Sequence, residues 1–231
     1  MATVTINAAD GGQFSGYLAL PEGGRGPGVL VIQEIFGVNK VMRDICDDYA
    51  ARGYVALCPD LFWRIEPGID ITDQSEAEWQ RAFELYTAFD VDQGMKDLAS
   101  ALAFLRGHDA CTGKVGSVGY CLGGKLAYLM ATRSDVDASV GFYGVGIEGD
   151  LDEAGKISAP LMLHIAGEDQ FVPKDAQQAI HAGLDDNPHV TLIDYPKQDH
   201  AFARKGGAHY DAASADAANT STAAFFQRHL G

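Results

Sequence analysis

Val115-Gly116-Ser117-Val118-Gly119-Tyr120-Cys121-Leu122-Gly123-Gly124 decides how this chain is read. It predicts a short apolar strand, then a glycine-framed turn, then a helix beginning with Lys125-Leu126-Ala127-Tyr128-Leu129-Met130. Gly119-Tyr120-Cys121-Leu122-Gly123 has the spacing of the nucleophile elbow G-x-S-x-G, with cysteine in place of serine. A sharp strand-to-helix turn leaves no room for side chains two positions either side of its apex, so glycine is needed there. The sulfur then stands at a helix N-terminus, where N–H groups and the helix dipole favour thiolate.

Outward from the elbow, strand and helix alternate. Residues 4–6 and 14–20 read as two strands around the turn signal Asp10-Gly11-Gly12, forming a sheet edge. Residues 28–33 and 54–58 are short apolar runs of the kind buried on both faces of a parallel sheet, separated by a helix from cap Asn39 to stop Gly53. Periodicity is lost over 60–72; then Trp79, Ala82, Phe83, Tyr86 and Phe89 recur at helical spacing as an aromatic stripe. A second helical pattern runs from Val91 to Leu105 and ends at Gly107, and the elbow helix reaches about Arg133. Beyond it come strands over 138–143, 160–166 and 189–195, a loop rich in Gly and Asp, a helix over 174–184, and a C-terminal helix ending near His229. This order predicts an α/β fold: a mainly parallel sheet with helices on both faces and an N-terminal antiparallel hairpin, as a single domain over 1–231.

The totals exclude several function classes. A formal charge of -15 without any cluster of Lys and Arg argues against a nucleic-acid or anionic-membrane surface. The N-terminus lacks a basic start and an apolar core, and nothing is long enough to span a bilayer, so a cytoplasmic location is expected. Cys46, Cys58, Cys111 and Cys121 are far apart in sequence with no C-x-x-C pair, as for reduced thiols rather than a disulfide framework or a zinc site.

Functional groups in open α/β sheets collect at the carboxyl ends of strands. Three candidates stand there, in the order nucleophile, acid, histidine: Cys121, then Asp169 after the 160–166 strand, then His200 after the 189–195 strand. That is the chain order of an α/β-hydrolase triad, in which His200 takes the thiol proton while Asp169 fixes the imidazole tautomer. Glu168 and Asp199 are alternative acids. Gln33-Glu34-Ile35-Phe36-Gly37 follows the strand whose loop supplies an oxyanion-hole amide, so the backbone N–H groups of Ile35 and Leu122 are the expected donors. Glu34 is then expected close to the thiol, raising its pKa or accepting its proton.

With these residues in place, the sequence resembles the dienelactone hydrolase (carboxymethylenebutenolidase) family. The resemblance is carried by Gln33-Glu34-Ile35-Phe36-Gly37-Val38-Asn39, Cys58-Pro59-Asp60-Leu61, Gly119-Tyr120-Cys121-Leu122-Gly123-Gly124, Phe142-Tyr143-Gly144-Val145-Gly146 and His200-Ala201-Phe202-Ala203-Arg204. It implies an α/β-hydrolase fold without a large lid, a Cys121-His200-Asp169 triad, and a Glu34 that interacts with the resting thiol. It further implies opening of an enol-lactone through an acyl-enzyme, and an apolar pocket lined by Phe36, Phe171 and Tyr86. Arg204 matches one of two arginines that hold the substrate carboxylate in the family. Trp79 stands where the second is expected, and Arg81 lies roughly 200° around the helix from it. A less anionic ester or lactone follows.

The leading expectation is a cysteine-dependent ester or lactone hydrolase, monomeric, acting on a small molecule, with no metal or organic cofactor. The alternative is a redox-responsive or ligand-binding protein in which Cys121 is a sensor thiol.

Overall fold

The computed structural model describes residues 2–231. Eight strands make a mainly parallel sheet that begins with an antiparallel pair. The chain divides into two compact units, 1–116 and 117–231.

In the first unit, β1 (Ala2–Asn7) and β2 (Gln13–Ala19) form the hairpin, with Thr3 opposite Tyr17 and Ile6 opposite Phe14. Gly11 takes a φ of 92° in the turn, and Ala8 donates its N–H to the Gly12 carbonyl. Next come β3 (Gly26–Ile32), α1 (Lys40–Ala51) and β4 (Val55–Pro59); β4 runs antiparallel to β2 and parallel to β3, giving the order β1-β2-β4-β3. Asn39 caps α1 by accepting the Met42 N–H, and its amide donates to the Ile71 carbonyl, so one side chain both starts the helix and ties down the irregular segment after β4. That segment is further held by the buried Asp60 carboxylate, which accepts the Phe62 and Gly68 N–H groups. Burial nevertheless holds the Asp60 pKa above the usual carboxylate range.

The unit continues with α2 (Glu76–Ala88) and α3 (Val91–Arg106), capped by Ser75 and Asp90. The expected aromatic stripe of α2 is divided in the structure. Its buried residues are Ala82 and Leu85, whereas Phe83 is 44% exposed and stacks on Trp79. Helical spacing alone does not say which of two adjacent faces the core covers. The thiols of Cys46 on α1 and Cys58 on β4 lie near one another, and burial first, then the neighbouring Cys58, raises the Cys46 pKa well above its ordinary value. Both remain unpaired by disulfide, as do Cys111 and Cys121.

β5 (Cys111–Tyr120) passes from the first unit into the second. There α4 (Leu122–Arg133), β6 (Ala138–Phe142), β7 (Leu161–Ala166), α5 (Lys174–Leu184), β8 (Val190–Tyr195) and α6 (Ala212–Leu230) follow, with β6, β7 and β8 parallel. The Gly/Asp-rich segment expected as loop is a 3-10 stretch, Ile147–Lys156, with a kink at Asp150. Its acidic residues anchor it: Asp150 and Glu153 accept from Arg133 at the end of α4.

The helix behind the elbow lies close against β6 because glycines meet there. A Cβ on Gly124 would stand 2.5 Å from the Phe142 carbonyl oxygen, which is backbone and cannot step aside. Gly124→Ala should therefore destabilise by about 1–3 kcal/mol, the usual range for overpacking. Thermal unfolding of wild type and variant measures this.

Candidate active site

Cys121 joins β5 to α4 with φ 57° and ψ -115°, a conformation that an L-residue avoids. The turn is possible because Gly119 has no side chain: a Cβ there would lie 1.8 Å from the Gly123 carbonyl oxygen. The turn is fixed from both sides, since Cys121 donates its N–H to the Phe142 carbonyl at 3.1 Å and its own carbonyl accepts from Gly124 at 2.9 Å. Leu122 is the first residue of α4, so its N–H belongs to the turn of a helix that has no intrahelical acceptor.

Asp169 follows β7 and His200 follows β8, each just past the carboxyl end of its strand. His200 Nδ1 lies 2.7 Å from Asp169 Oδ2, with both residues buried. The other Asp169 oxygen accepts the Phe171 N–H at 2.8 Å, which fixes the carboxylate plane. With Nδ1 occupied by Asp169, Nε2 is the ring nitrogen left for the Cys121 side chain, which lies near enough to help raise the imidazole pKa. The alternative acids are engaged elsewhere: Glu168 is exposed beside Lys174, and Asp199 accepts the backbone N–H of His200.

Burial works against a charge on His200, yet Cys121 and Asp169 outweigh it and push the imidazole pKa up to about 10. Among the groups that raise it, Cys121 makes the largest contribution, ahead of Asp169. Two aromatic rings flank the imidazole edge-on, Tyr143 with centroids 5.1 Å apart and Phe171 with centroids 4.9 Å apart. Tyr143 is 3% exposed, and its phenol pKa lies well above the ordinary value, through burial first and then the nearby Tyr120, Cys121 and Asp169.

Among the described residues, the non-glycine positions with positive φ are Cys121, Tyr143 at 38° and Ala201 at 62°. One is the apex of the elbow, one packs its ring on His200, and one follows His200 in the chain. Strained backbone persists only where the surroundings over-determine it, and here all of it gathers around one thiol and one imidazole.

The sequence reading assigned Tyr143 no role, although it stands at the carboxyl end of β6, where the strand-end rule applies as it does to Asp169. Arg204 lies on the His200 loop, 4% exposed, with burial lowering its pKa to about 10. The remaining candidates lie in the first unit. Glu34, Ile35 and Phe36 directly follow Gln33 at the end of β3 and are each 5% exposed or less. Phe36 meets the Trp79 ring edge-on at 5.0 Å, and Tyr86 on α2 is half-buried. Arg81 turns outward to Glu84 and Glu66, so it does not take the place of Trp79, whose indole donates to the Asp73 carbonyl. No cluster of His, Cys, Asp and Glu suited to a metal ion occurs among the described residues, and none of their helices is long and apolar enough to cross a membrane.

Comparison with known proteins identifies a family and a fold. Residues 14–230 match the sequence model of the dienelactone hydrolase family. The chain is 50% identical over its full length, and that of its relative, to a carboxymethylenebutenolidase homologue of Azospirillum brasilense. It is 39% identical to the carboxymethylenebutenolidase of Pseudomonas putida, over 94% of this chain and 92% of that one. Among solved structures, a dienelactone hydrolase homologue from Klebsiella pneumoniae subsp. pneumoniae MGH 78578 superposes with a TM-score of 0.85 at 26% identity, covering 98% of this chain and 97% of the other.

The raised His200 pKa has a consequence for stability. A histidine whose folded pKa exceeds its unfolded value of 6.5 contributes stability fully below pH 6.5 and loses it as pH rises through about 10. Thermal unfolding midpoints should therefore fall between pH 6.5 and 10. The fall should be smaller in Cys121→Ala, which removes the largest upward contribution.

Proposed function

Because the chain belongs to the dienelactone hydrolase family, we propose that it is a thiol hydrolase of carboxylic esters or enol-lactones working through an acyl-enzyme on Cys121. The observation that carries the reading is the buried Asp169–His200 hydrogen bond of 2.7 Å, set near Cys121, a residue in strained elbow geometry. In this reading the family's hydrolase chemistry is run by a Cys121-His200-Asp169 triad within one α/β-hydrolase domain.

The proposed steps follow from that arrangement. Nε2 of His200 takes the thiol proton, and Sγ of Cys121 attacks the carbonyl carbon. The tetrahedral oxyanion accepts from the backbone N–H groups of Leu122 and Ile35. Its collapse breaks the C–O bond, opening the ring to a thioester and an enolate, which takes up the proton held on His200 and leaves the imidazole neutral for the second half. Water then gives a proton to His200 and attacks the thioester carbon; the thiolate leaves and is reprotonated, releasing the linear acid. Asp169 holds the imidazole in the tautomer that leaves Nε2 available and stabilises its charged form. Only proton transfer and charge stabilisation are required, so neither metal nor organic cofactor is part of the proposal.

Glu34 is proposed to modulate the resting thiol through its carboxylate, and Phe36, Phe171 and Tyr86 to line the substrate pocket. For Phe171 the support is its ring against His200. Arg204 is proposed to receive a carboxylate or polarised oxygen of the substrate, supported by its burial on the His200 loop. With Trp79 rather than a cation on α2, and Arg81 paired outward, a small monoanionic or neutral lactone is favoured over a substrate needing two guanidinium groups.

A sensor role for Cys121 is most often supported by a resolving thiol close by. Cys111 stands at the opposite end of the ten-residue β5, about 30 Å away at the usual strand rise.

Cys121→Ala should lower hydrolysis of a small aryl ester at least about a thousandfold, as loss of a nucleophile does elsewhere. Unchanged turnover in steady-state assays sinks the cysteine mechanism. Glu34→Gln should shift the pH dependence of Cys121 alkylation by iodoacetamide, and an identical profile removes Glu34 from the mechanism. Comparing cis- and trans-dienelactones, simple butenolides and neutral esters ranks the substrate classes.

A further inference from the structure

The backbone of His200 is held at both ends by side chains of its own loop. Its N–H donates to Asp199 Oδ1 at 2.6 Å, and its carbonyl accepts from Nδ1 of His209 at 3.1 Å. The same His209 nitrogen lies 3.6 Å from Asp199 Oδ2, so Asp199, His200 and His209 close a ring of contacts around one residue. We propose that His209 is a positioning residue for His200, clamping the carbonyl of the peptide that joins His200 to Ala201. This rests on the reading of His200 as the general base of the site.

The need for a clamp follows from the next residue. Ala201 has φ 62°, a left-handed conformation that alanine disfavours. Relaxing that angle rotates the 200–201 peptide and swings the imidazole, whose Nδ1 must stay 2.7 Å from Asp169 Oδ2 while Nε2 meets the Cys121 thiol. The His209 hydrogen bond opposes this rotation at an atom that moves with the peptide, the His200 carbonyl oxygen.

His209 can act this way because its own segment is anchored. Asp211 donates its N–H to the Phe202 carbonyl at 3.0 Å, closing the strap from Phe202 to Asp211. The Asp211 carboxylate then accepts the Ser214 N–H at 2.8 Å and caps α6, so the strap is fixed to a nineteen-residue helix. The His209 side chain is itself 42% exposed and fills no core space, which separates its hydrogen bond from any packing role.

Steady-state hydrolysis of a small aryl ester by His209→Ala, His209→Asn and His200→Ala, together with iodoacetamide alkylation of Cys121, tests this. In His209→Ala, kcat is expected to fall about tenfold with KM within about twofold, since small misplacements of a reacting group cost one to two orders of magnitude. Alkylation should slow in parallel, and the unfolding midpoint should stay close to wild type. Asparagine places an amide N–H near the position of Nδ1, so His209→Asn should recover most of the rate. A wild-type kcat in His209→Ala, or a loss that asparagine does not recover, overturns the positioning role. If His200→Ala retains wild-type turnover, the catalytic reading itself fails. If it is inactive while His209→Ala is unimpaired, only the clamp fails.

Discussion

The close approach of backbone to backbone at the start of α4 is the constraint on which the site depends. Gly119 comes against the Gly123 carbonyl and Gly124 against the Phe142 carbonyl, at distances that no side chain tolerates. These contacts leave the residue between them, Cys121, with a positive φ and a side chain projected away from the turn. Neither the strain nor the exposure of the sulfur to its partners would survive a helix standing an ångström further from the sheet. The packing of α4 on β6 is therefore the structural origin of a presented thiol.

Around that thiol the protein sets a buried imidazole whose charge is opposed by desolvation and favoured by two partners. The balance is possible because Asp169 is itself fixed by the Phe171 N–H, and because the rings of Tyr143 and Phe171 pack edge-on against the imidazole. These groups come from the ends of three strands of the second unit, Tyr143 after β6, Asp169 and Phe171 after β7 and His200 after β8, brought side by side by the parallel pairing of those strands. A site built this way is as rigid as the sheet beneath it. Its loops contribute direction, and the strained residues Tyr143 and Ala201 show where that direction departs from what the backbone prefers.

The glycine-framed elbow, the strand ends carrying Asp169 and His200, and the alternation of strand and helix were legible in the sequence, because each rests on local chemistry: steric exclusion at the turn, apolar runs, and caps such as Asn39. Local chemistry also separated Asp169 from Glu168 and Asp199 only by position, and the structure separates them by direction. The same limit applies to α2, whose aromatic periodicity is present but whose buried face is set by Ala82 and Leu85.

What the sequence by itself determined is the fold class, the order of Cys121, Asp169 and His200 along the chain, and the family. Tertiary structure alone decided which carboxylate meets the imidazole, that Tyr143 packs on it, that Cys46 meets Cys58, and that His209 grips the carbonyl of His200. The reason is physical: periodicity, turn sterics and capping act over a few residues and leave a mark in the local pattern. Contacts between strand ends depend on register and on side-chain direction across segments far apart in the chain, and no single segment carries that information.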